Sequence, residues 1–156
     1  MEDNNYEEIK DRANLFYKNI NKIFCPFFNE KIVFNSEGFN HLIYKNKSKR
    51  LDSEQIMRFK LLERAIKLIG LTNTKQDFSE NIIVVKKKKH KKIINSSENV
   101  YYYGFIGIIN NFRIKVIIRK IGNGNRHFWS VIPAWNTKHY QGIKIIENFE
   151  NNFEIE

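Results

Sequence analysis

The residues of this chain with the clearest chemical potential are cations that alternate along one predicted strand. Arg113, Lys115 and Arg119 share one face of the stretch at 111–121, and the opposite face is apolar. A period of two predicts a half-buried strand, here with a cationic polar face. Guanidinium and ammonium groups in a row suit an anionic ligand such as a phosphate. A solvated face with ordinary surface cations would show the same pattern.

The turn after this strand decides which residue of the next strand joins the cations. The Asn-Gly pair at 123–124 predicts a two-residue hairpin turn, because both central positions of such a turn need positive φ. That turn places Ser130 on the polar face and leaves His127 and Trp129 on the core face. A loop one residue longer places His127 and Trp129 beside the arginines instead. Ser130 and His127 are therefore alternative members of the polar face.

A second chemical candidate, His41, lies in a short helix predicted to begin at Ser36. Glu37, His41 and Lys45 are spaced at i, i+4 and i+8, which places them on one stripe of a helix. A histidine beside a carboxylate and a cation suits a general base or acid. A surface or half-buried histidine without a function would fit the same spacing.

The elements that must position these residues are helices first and strands last. Helices are predicted at 5–24 and 53–69, with Arg58 on the polar side of the second helix. Strands are predicted at 31–35, at the start of 81–94, at 99–109 and in the hairpin that follows. This order predicts an α+β domain in which N-terminal helices pack on one face of a roughly four-stranded antiparallel sheet. The other face is expected to stay open and to carry the cations.

Composition narrows the function classes. The chain has 156 residues and a formal net charge of +10, and Glu98 is the only acid from residue 81 to residue 146. Such a basic domain binds nucleic acid, an anionic membrane surface or an acidic protein. Residues 81–146 have too few acids for a carboxylate cluster that binds Mg²⁺ or Ca²⁺. A single cysteine does not form a zinc site. No metal and no cofactor is therefore expected. Without a signal peptide or an apolar run of about 18 residues, a cytoplasmic protein that does not enter membranes is expected.

Three runs of the chain resemble a family of nucleases. FNSEGFNHLIYK (34–45), SEQIMRFKLLERAIKLI (53–69) and HFWSVIPAW (127–135) are similar to small phage and mobile-element nucleases of the barnase–EndoU–colicin–RelE (BECR) superfamily. The resemblance implies a single domain over residues 1–136, with its core at about 31–136, followed by an acidic C-terminal tail at 137–156. It also implies a metal-independent ribonuclease, a hydrolase of RNA with a toxin-like role.

On this hypothesis the 2′-hydroxyl of the RNA attacks the phosphate, and the protein supplies a base, an acid and cations. His41 is the expected base or acid, and Arg119 is expected to hold the phosphate together with Arg113 or Lys115. Ser130 would hydrogen-bond the phosphate, or His127 would transfer the second proton if the register shifts. Further RNA contacts are expected at Lys45, Arg58, Arg113, Lys115 and Arg126.

Two other function classes agree with the same residues. One is a non-catalytic module that binds RNA or DNA through the basic sheet face. The other is an interaction protein that docks an acidic partner. A toxic nuclease would also need such a partner, in the form of an acidic antitoxin or inhibitor.

Overall fold

The computed structural model describes residues 2–74, 77–89 and 92–134, and of residues 2–4, 77, 81–89 and 93–96 it describes the backbone alone. The predicted acidic tail at 137–156 lies outside the described residues. The helices are α1 (Glu2–Ile20), α2 (Ser36–Ile43), α3 (Asp52–Lys60) and α4 (Leu62–Leu71). The strands are β1 (Lys22–Cys25), β2 (Glu30–Val33), β3 (Tyr44–Lys45), β4 (Ser48–Lys49), β5 (Asp77–Lys89), β6 (Lys92–Ile109), β7 (Phe112–Ile121) and β8 (His127–Pro133). Within these residues no helix is long and apolar enough to cross a membrane.

The main sheet has six strands in the order β1-β2-β8-β7-β6-β5, and β3 pairs with β4 in a separate hairpin. All neighbours are antiparallel except β2 and β8, which pair in parallel at Val33 and His127. The predicted α+β class is confirmed. The sheet is wider than the four strands expected, because β1 forms within the region predicted as the end of the first helix. That helix ends at Ile20, since Asn21 adopts the left-handed conformation with φ 61°.

The helices pack against the sheet and form the core with it. This core contains the apolar positions of β7 at Ile114, Val116 and Ile118, and it continues into β8 at Phe128 and Val131. Phe128 stacks on Phe34 with ring centroids 5.0 Å apart, and Tyr17 of α1 meets the Phe128 ring edge-on. The period of two predicted this face of β7 correctly.

The opposite face of β7 differs from the prediction of an open cationic surface. Lys115 is fully buried and Arg119 is 9% exposed. Ile117 interrupts the cations on this face, and Tyr102 and Trp129 pack against it. These aromatic rings form a second, smaller apolar cluster, so the polar face is partly covered.

The predicted second helix is two helices that meet at Leu61. The backbone of Leu61 (φ −90°, ψ −4°) ends α3 and begins α4. The break allows Phe59, Leu61 and Leu62 all to enter the core. Arg58, predicted on the solvated side, is buried for the same reason.

The turns of the sheet also differ from the expected pattern. Asn110 (φ 52°) and Asn111 (φ 64°) form the tight two-residue turn, and it connects β6 to β7. The predicted two-residue turn at 123–124 is wrong. Residues 122–126 form a longer loop there, in which Gly122 is the residue with positive φ (53°).

Candidate functional site

A bulge in the β7–β8 pair decides the composition of the candidate site. Ser130 pairs with Ile117 and His127 pairs with Arg119, and the register shifts by one residue between these two pairs. Trp129 is the extra residue of β8 at this shift, as in a β-bulge. In a regular strand, positions 127 and 130 would face opposite sides because side chains alternate. The bulge puts both residues on the face of Arg119, so the two predicted alternatives are present together.

Arg119 lies at the centre of the site and uses its guanidinium in three ways. Its Nε donates to His127 Nε2 at 2.9 Å, and a terminal nitrogen donates to Glu37 Oε2 at 2.5 Å. Its guanidinium carbon lies 3.5 Å from the ring centroid of Trp129, which is a cation–π contact. These contacts fix the guanidinium in one orientation. The planar fork of arginine allows all three at once.

Trp129 stacks between Arg119 and His41. The His41 imidazole lies 4.0 Å from the Trp129 centroid, with 24° between the planes. Two groups this close to one centroid cannot occupy the same side of the ring, so they lie on opposite faces. Trp129 therefore connects helix α2 to strand β7. Trp129 lies on the face of the cations, as the register with the longer loop had placed it, and not on the core face that the two-residue turn would give.

A second guanidinium reaches the site from α3. Arg58 donates from a terminal nitrogen to Ser130 Oγ at 2.5 Å, and both residues are buried. We refer to Glu37, His41, Arg58, Arg119, His127, Trp129 and Ser130 as the Arg119 cluster. It combines two guanidinium groups, two imidazoles, one hydroxyl and one carboxylate. Such a set can bind an anion and move protons beside it.

His41 is held by its neighbour Arg50. The Nε of Arg50 donates to the His41 carbonyl at 3.1 Å, and a terminal nitrogen lies 3.5 Å from His41 Nε2. Arg50 is fixed in turn by Gln55, which donates to the Arg50 carbonyl at 2.8 Å and accepts from the Tyr6 hydroxyl at 2.6 Å. The His41 ring is 5% exposed. Its position thus depends on α1 and α3 as well as on its own helix.

Helix α2 carries Glu37 and His41 to strand β8. The helix begins at Ser36 as predicted, and Asn35 caps it by accepting from the Gly38 backbone N–H at 3.1 Å. The helix approaches β8 closely at Gly38, where an added Cβ would lie 2.3 Å from the Phe128 carbonyl oxygen. Glu37 forms an ion pair with Arg119, whereas the helical stripe had predicted it as the partner of His41.

Burial shapes the charge states of the cluster. Burial, followed by the charge of Arg119, lowers the pKa of His127 to about 4. Burial also lowers the pKa of Arg119, while Tyr102 and Glu37 oppose that shift, and a guanidinium keeps its proton in any case. His127 is therefore neutral near pH 7. Since its Nε2 accepts from Arg119, its proton belongs on Nδ1, which lies 3.4 Å from the Asn125 carbonyl oxygen. This arrangement favours a role in positioning Arg119 over the proton transfer predicted for His127.

The neutral state of His127 makes stability depend on pH. In the unfolded chain His127 protonates below about pH 6.5, but in the folded protein only below about pH 4. The unfolded state binds more protons between these values, so stability falls as the pH falls through this window. We expect His127 to contribute a loss of about 2 kcal/mol in the free energy of unfolding between pH 7.5 and pH 5. Urea denaturation at both pH values measures this change in the free energy of unfolding.

The matched variant for this measurement is His127→Gln, which keeps an acceptor for Arg119 but does not titrate. Its stability should fall less than that of the wild type over the same interval. Equal losses in the two proteins would show that His127 does not carry the pH dependence.

Four residues predicted to contact RNA lie outside the Arg119 cluster. Lys45 belongs to β3 because α2 ends at Ile43, so the predicted helical stripe stops before it. Arg113 pairs with Ile108 near the far end of β7. Lys115 is fully buried.

Arg126 is the fourth of these residues. It forms an ion pair with Glu30 at 2.7 Å, and its guanidinium lies 4.4 Å from the Phe28 ring centroid and 5.5 Å from that of Tyr103. Tyr103 belongs to the core side of the sheet. Arg126 therefore points away from Arg119, although it precedes His127 in the chain.

Sequence reasoning did not single out Arg50 and noticed Glu37 only as a neighbour of His41. It left Trp129 open between the core face and the face of the arginines. No spacing in the sequence links Arg50 to His41. The contact of Trp129 with Arg119 agrees with the longer-loop register, which placed Trp129 beside the arginines.

Among the described residues no group of three or more His, Cys, Asp or Glu side chains could hold a metal ion. Comparisons of the chain with models of known protein families, with curated proteins and with solved structures found no match. The functional argument therefore depends on the chemistry of the Arg119 cluster.

Proposed function

We propose that this protein is a metal-independent ribonuclease of the BECR type that acts on cytoplasmic RNA in a toxin-like role. The observation that carries the proposal is a chain of contacts from Glu37 through Arg119 and Trp129 to His41. It joins an exposed carboxylate, a fixed guanidinium and an imidazole. The four antiparallel strands β5–β8, which follow the last helix, also agree with the family that the sequence resembles.

The proposed reaction uses the 2′-hydroxyl of the RNA as the nucleophile. Its oxygen attacks the adjacent phosphorus, the bond from phosphorus to the 5′-oxygen breaks, and the products are a 2′,3′-cyclic phosphate and a 5′-hydroxyl. One group must accept the 2′ proton and another must protonate the leaving oxygen. A cation must stabilise the additional negative charge on the phosphate.

The Arg119 cluster supplies a group for each of these tasks. Arg119 stabilises the phosphate charge, and its fixed orientation avoids reorganisation during the reaction. Arg58 adds a second guanidinium through Ser130. His41 carries one proton transfer, and Glu37, whose side chain is 58% exposed, is the carboxylate best placed for the other. An acidic antitoxin or inhibitor remains the expected partner of so basic a nuclease.

Purified protein in excess EDTA is expected to cut total RNA and leave 2′,3′-cyclic phosphate ends. His41→Ala should slow cleavage about a hundredfold or more, the usual contribution of one general acid or base. His41→Phe keeps an aromatic ring against Trp129 without a titratable nitrogen, so it should be equally slow. Gel assays with end-group analysis measure the cleavage rate and the product ends for the wild type and both variants.

Lys120→Ala is the matched control, because it removes a charge from the residue next to Arg119 and leaves the Arg119 cluster intact. It should cleave at nearly the wild-type rate. Full activity of His41→Phe would remove His41 from the proton transfers, and loss of cleavage on chelation would overturn the metal-free mechanism.

The second candidate function is a non-catalytic module that binds RNA or DNA. It is favoured by the burial of the cluster, since His41, Arg119 and Ser130 are each at most 9% exposed. In that case the wild type would leave RNA intact and bind it in a salt-sensitive way, and His41→Ala would bind equally. An interaction protein for an acidic partner would instead show no RNA affinity at low salt.

A further inference from the structure

Two strands extend beyond the rest of the sheet as a ribbon. β5 and β6 pair over residues 77–89 and 92–104, whereas β7 pairs with β6 only over residues 100–109. β5 is the last strand of the sheet. Residues 82–89 and 92–99, which we call the 82–99 ribbon, therefore have no third strand beside them in the described structure.

The 82–99 ribbon leaves the sheet at the end where Arg119 lies. Tyr102 of β6 pairs with both Arg119 of β7 and Ser79 of β5. β7 ends two residues after Arg119, at Ile121, while β5 continues for ten residues after Ser79. At roughly 3.3 Å per residue, positions 86–89 lie about 23 to 33 Å beyond the level of Arg119 along the strand direction.

The charge of the ribbon is strongly positive. Its described positions include one acid, Glu98, and five lysines, at positions 86–89 and 92. A lysine is a compact point charge that suits backbone phosphates without reading sequence. The ribbon thus carries a net positive charge beyond the end of the sheet that holds the Arg119 cluster.

We propose that the 82–99 ribbon is a second RNA-binding surface that holds the substrate backbone away from the cleaved bond. This inference rests on the proposed function for its substrate class. With one phosphate per roughly 3.4 Å along a helical strand, the lysines lie about seven to ten nucleotides from the bond at Arg119. The substrate is therefore an RNA that extends about ten nucleotides beyond the cut, and shorter fragments do not engage the ribbon.

The test compares the wild type with a variant in which the lysines at 86–89 are all replaced by glutamine. The binding probe is a 2′-O-methyl RNA of about 30 nucleotides, which lacks the attacking hydroxyl and stays intact. Loss of four phosphate contacts should reduce the slope of log affinity against log salt by about 3. For cleavable RNA of the same length, KM should rise at least tenfold with kcat unchanged, and neither constant should change for a dinucleotide.

A control variant removes four lysines from other elements and has the same net charge. It carries glutamine at Lys18, Lys22, Lys31 and Lys67. Circular dichroism melting curves of both variants show whether each is folded. If the control loses as much salt dependence as the ribbon variant, or if the ribbon variant binds RNA like the wild type, the proposal is overturned.

The same experiment separates the ribbon from the proposed function. If the wild type cuts no RNA but the ribbon variant alone loses salt-dependent binding, the ribbon is an RNA-binding surface and the nuclease proposal fails. If the wild type cleaves and the dinucleotide and long RNA respond equally to the ribbon substitutions, the nuclease stands and the ribbon proposal fails. If the protein binds anionic vesicles through the ribbon lysines and has no affinity for RNA, the ribbon proposal is also overturned.

Discussion

Arg119→Lys is expected to lower the rate of RNA cleavage roughly a thousandfold while the protein stays folded. Removal of one preorganised donor to a developing charge costs about 10² to 10³ in rate. We expect the upper end, because lysine cannot donate to His127 and Glu37 and stack on Trp129 at the same time. The ammonium group of lysine keeps the attraction to Glu37, but it lacks the planar fork that fixes the orientation of the cation. Single-turnover cleavage of RNA in EDTA measures the effect.

Arg126→Lys is a closely matched control for this experiment. Arg126 also pairs with a carboxylate, Glu30, and lies over an aromatic ring, Phe28, but it does so away from the Arg119 cluster. Its replacement should change the cleavage rate by less than about threefold, since its contacts are structural. Equal losses in the two variants would mean that arginine–carboxylate packing in general, and not Arg119, supports the activity.

Gly38→Ala is expected to destabilise the protein by about 3 kcal/mol, at the top of the usual range for overpacking. The new methyl group would lie 2.3 Å from the Phe128 carbonyl oxygen and 2.6 Å from the Tyr17 hydroxyl. The first of these atoms belongs to the backbone of β8, so α2 must move away from the strand. Glu37 and His41 move with α2, and we therefore expect cleavage to fall as well. Chemical denaturation measures the stability.

Gly70→Ala is the same type of substitution, but it is expected to change stability in the opposite direction. Gly70 lies in α4 and an added Cβ meets no atom within 4 Å. Alanine is the better helix former by about 0.5 to 1 kcal/mol, so this variant should be slightly more stable than the wild type. If both glycine variants change stability in the same direction, the close approach at Gly38 does not determine the position of α2.

The sequence predicted the parts of this fold that depend on local patterns. The alternation in β7 identified its core face, and the turn residues identified a hairpin between β7 and β8. The width of the sheet was missed because β1 has four residues, too few for a period to be recognised, and its apolar residues continued the spacing of the helix predicted at 5–24. The break at Leu61 was missed because the apolar spacing continues across it, so that α3 and α4 resemble one helix.

The candidate site was predicted only in its residue types. His41, Arg119, Ser130, His127 and Arg58 were each singled out, and all five meet in the Arg119 cluster. Lys45, Arg113, Lys115 and Arg126 carry the same charges and were equally plausible from the sequence. Periodicity assigns a cation to a face of a strand, but it does not reveal which face another element covers. The burial of Lys115 and the ion pair of Arg126 follow from such coverage.

By itself, the sequence determined that this is an α+β protein with a basic second half, because charge and hydrophobic periodicity are properties of neighbouring residues. The tertiary structure alone decided the site. Glu37 and Arg119 are 82 positions apart, and Arg58 and Ser130 are 72 apart. Glu37 reaches Arg119 because Gly38 allows α2 to approach β8. One extra residue in β8, Trp129, brings His127 to the same face as Ser130. Long-range packing and the register of a bulge are set by the whole fold, which no local pattern encodes.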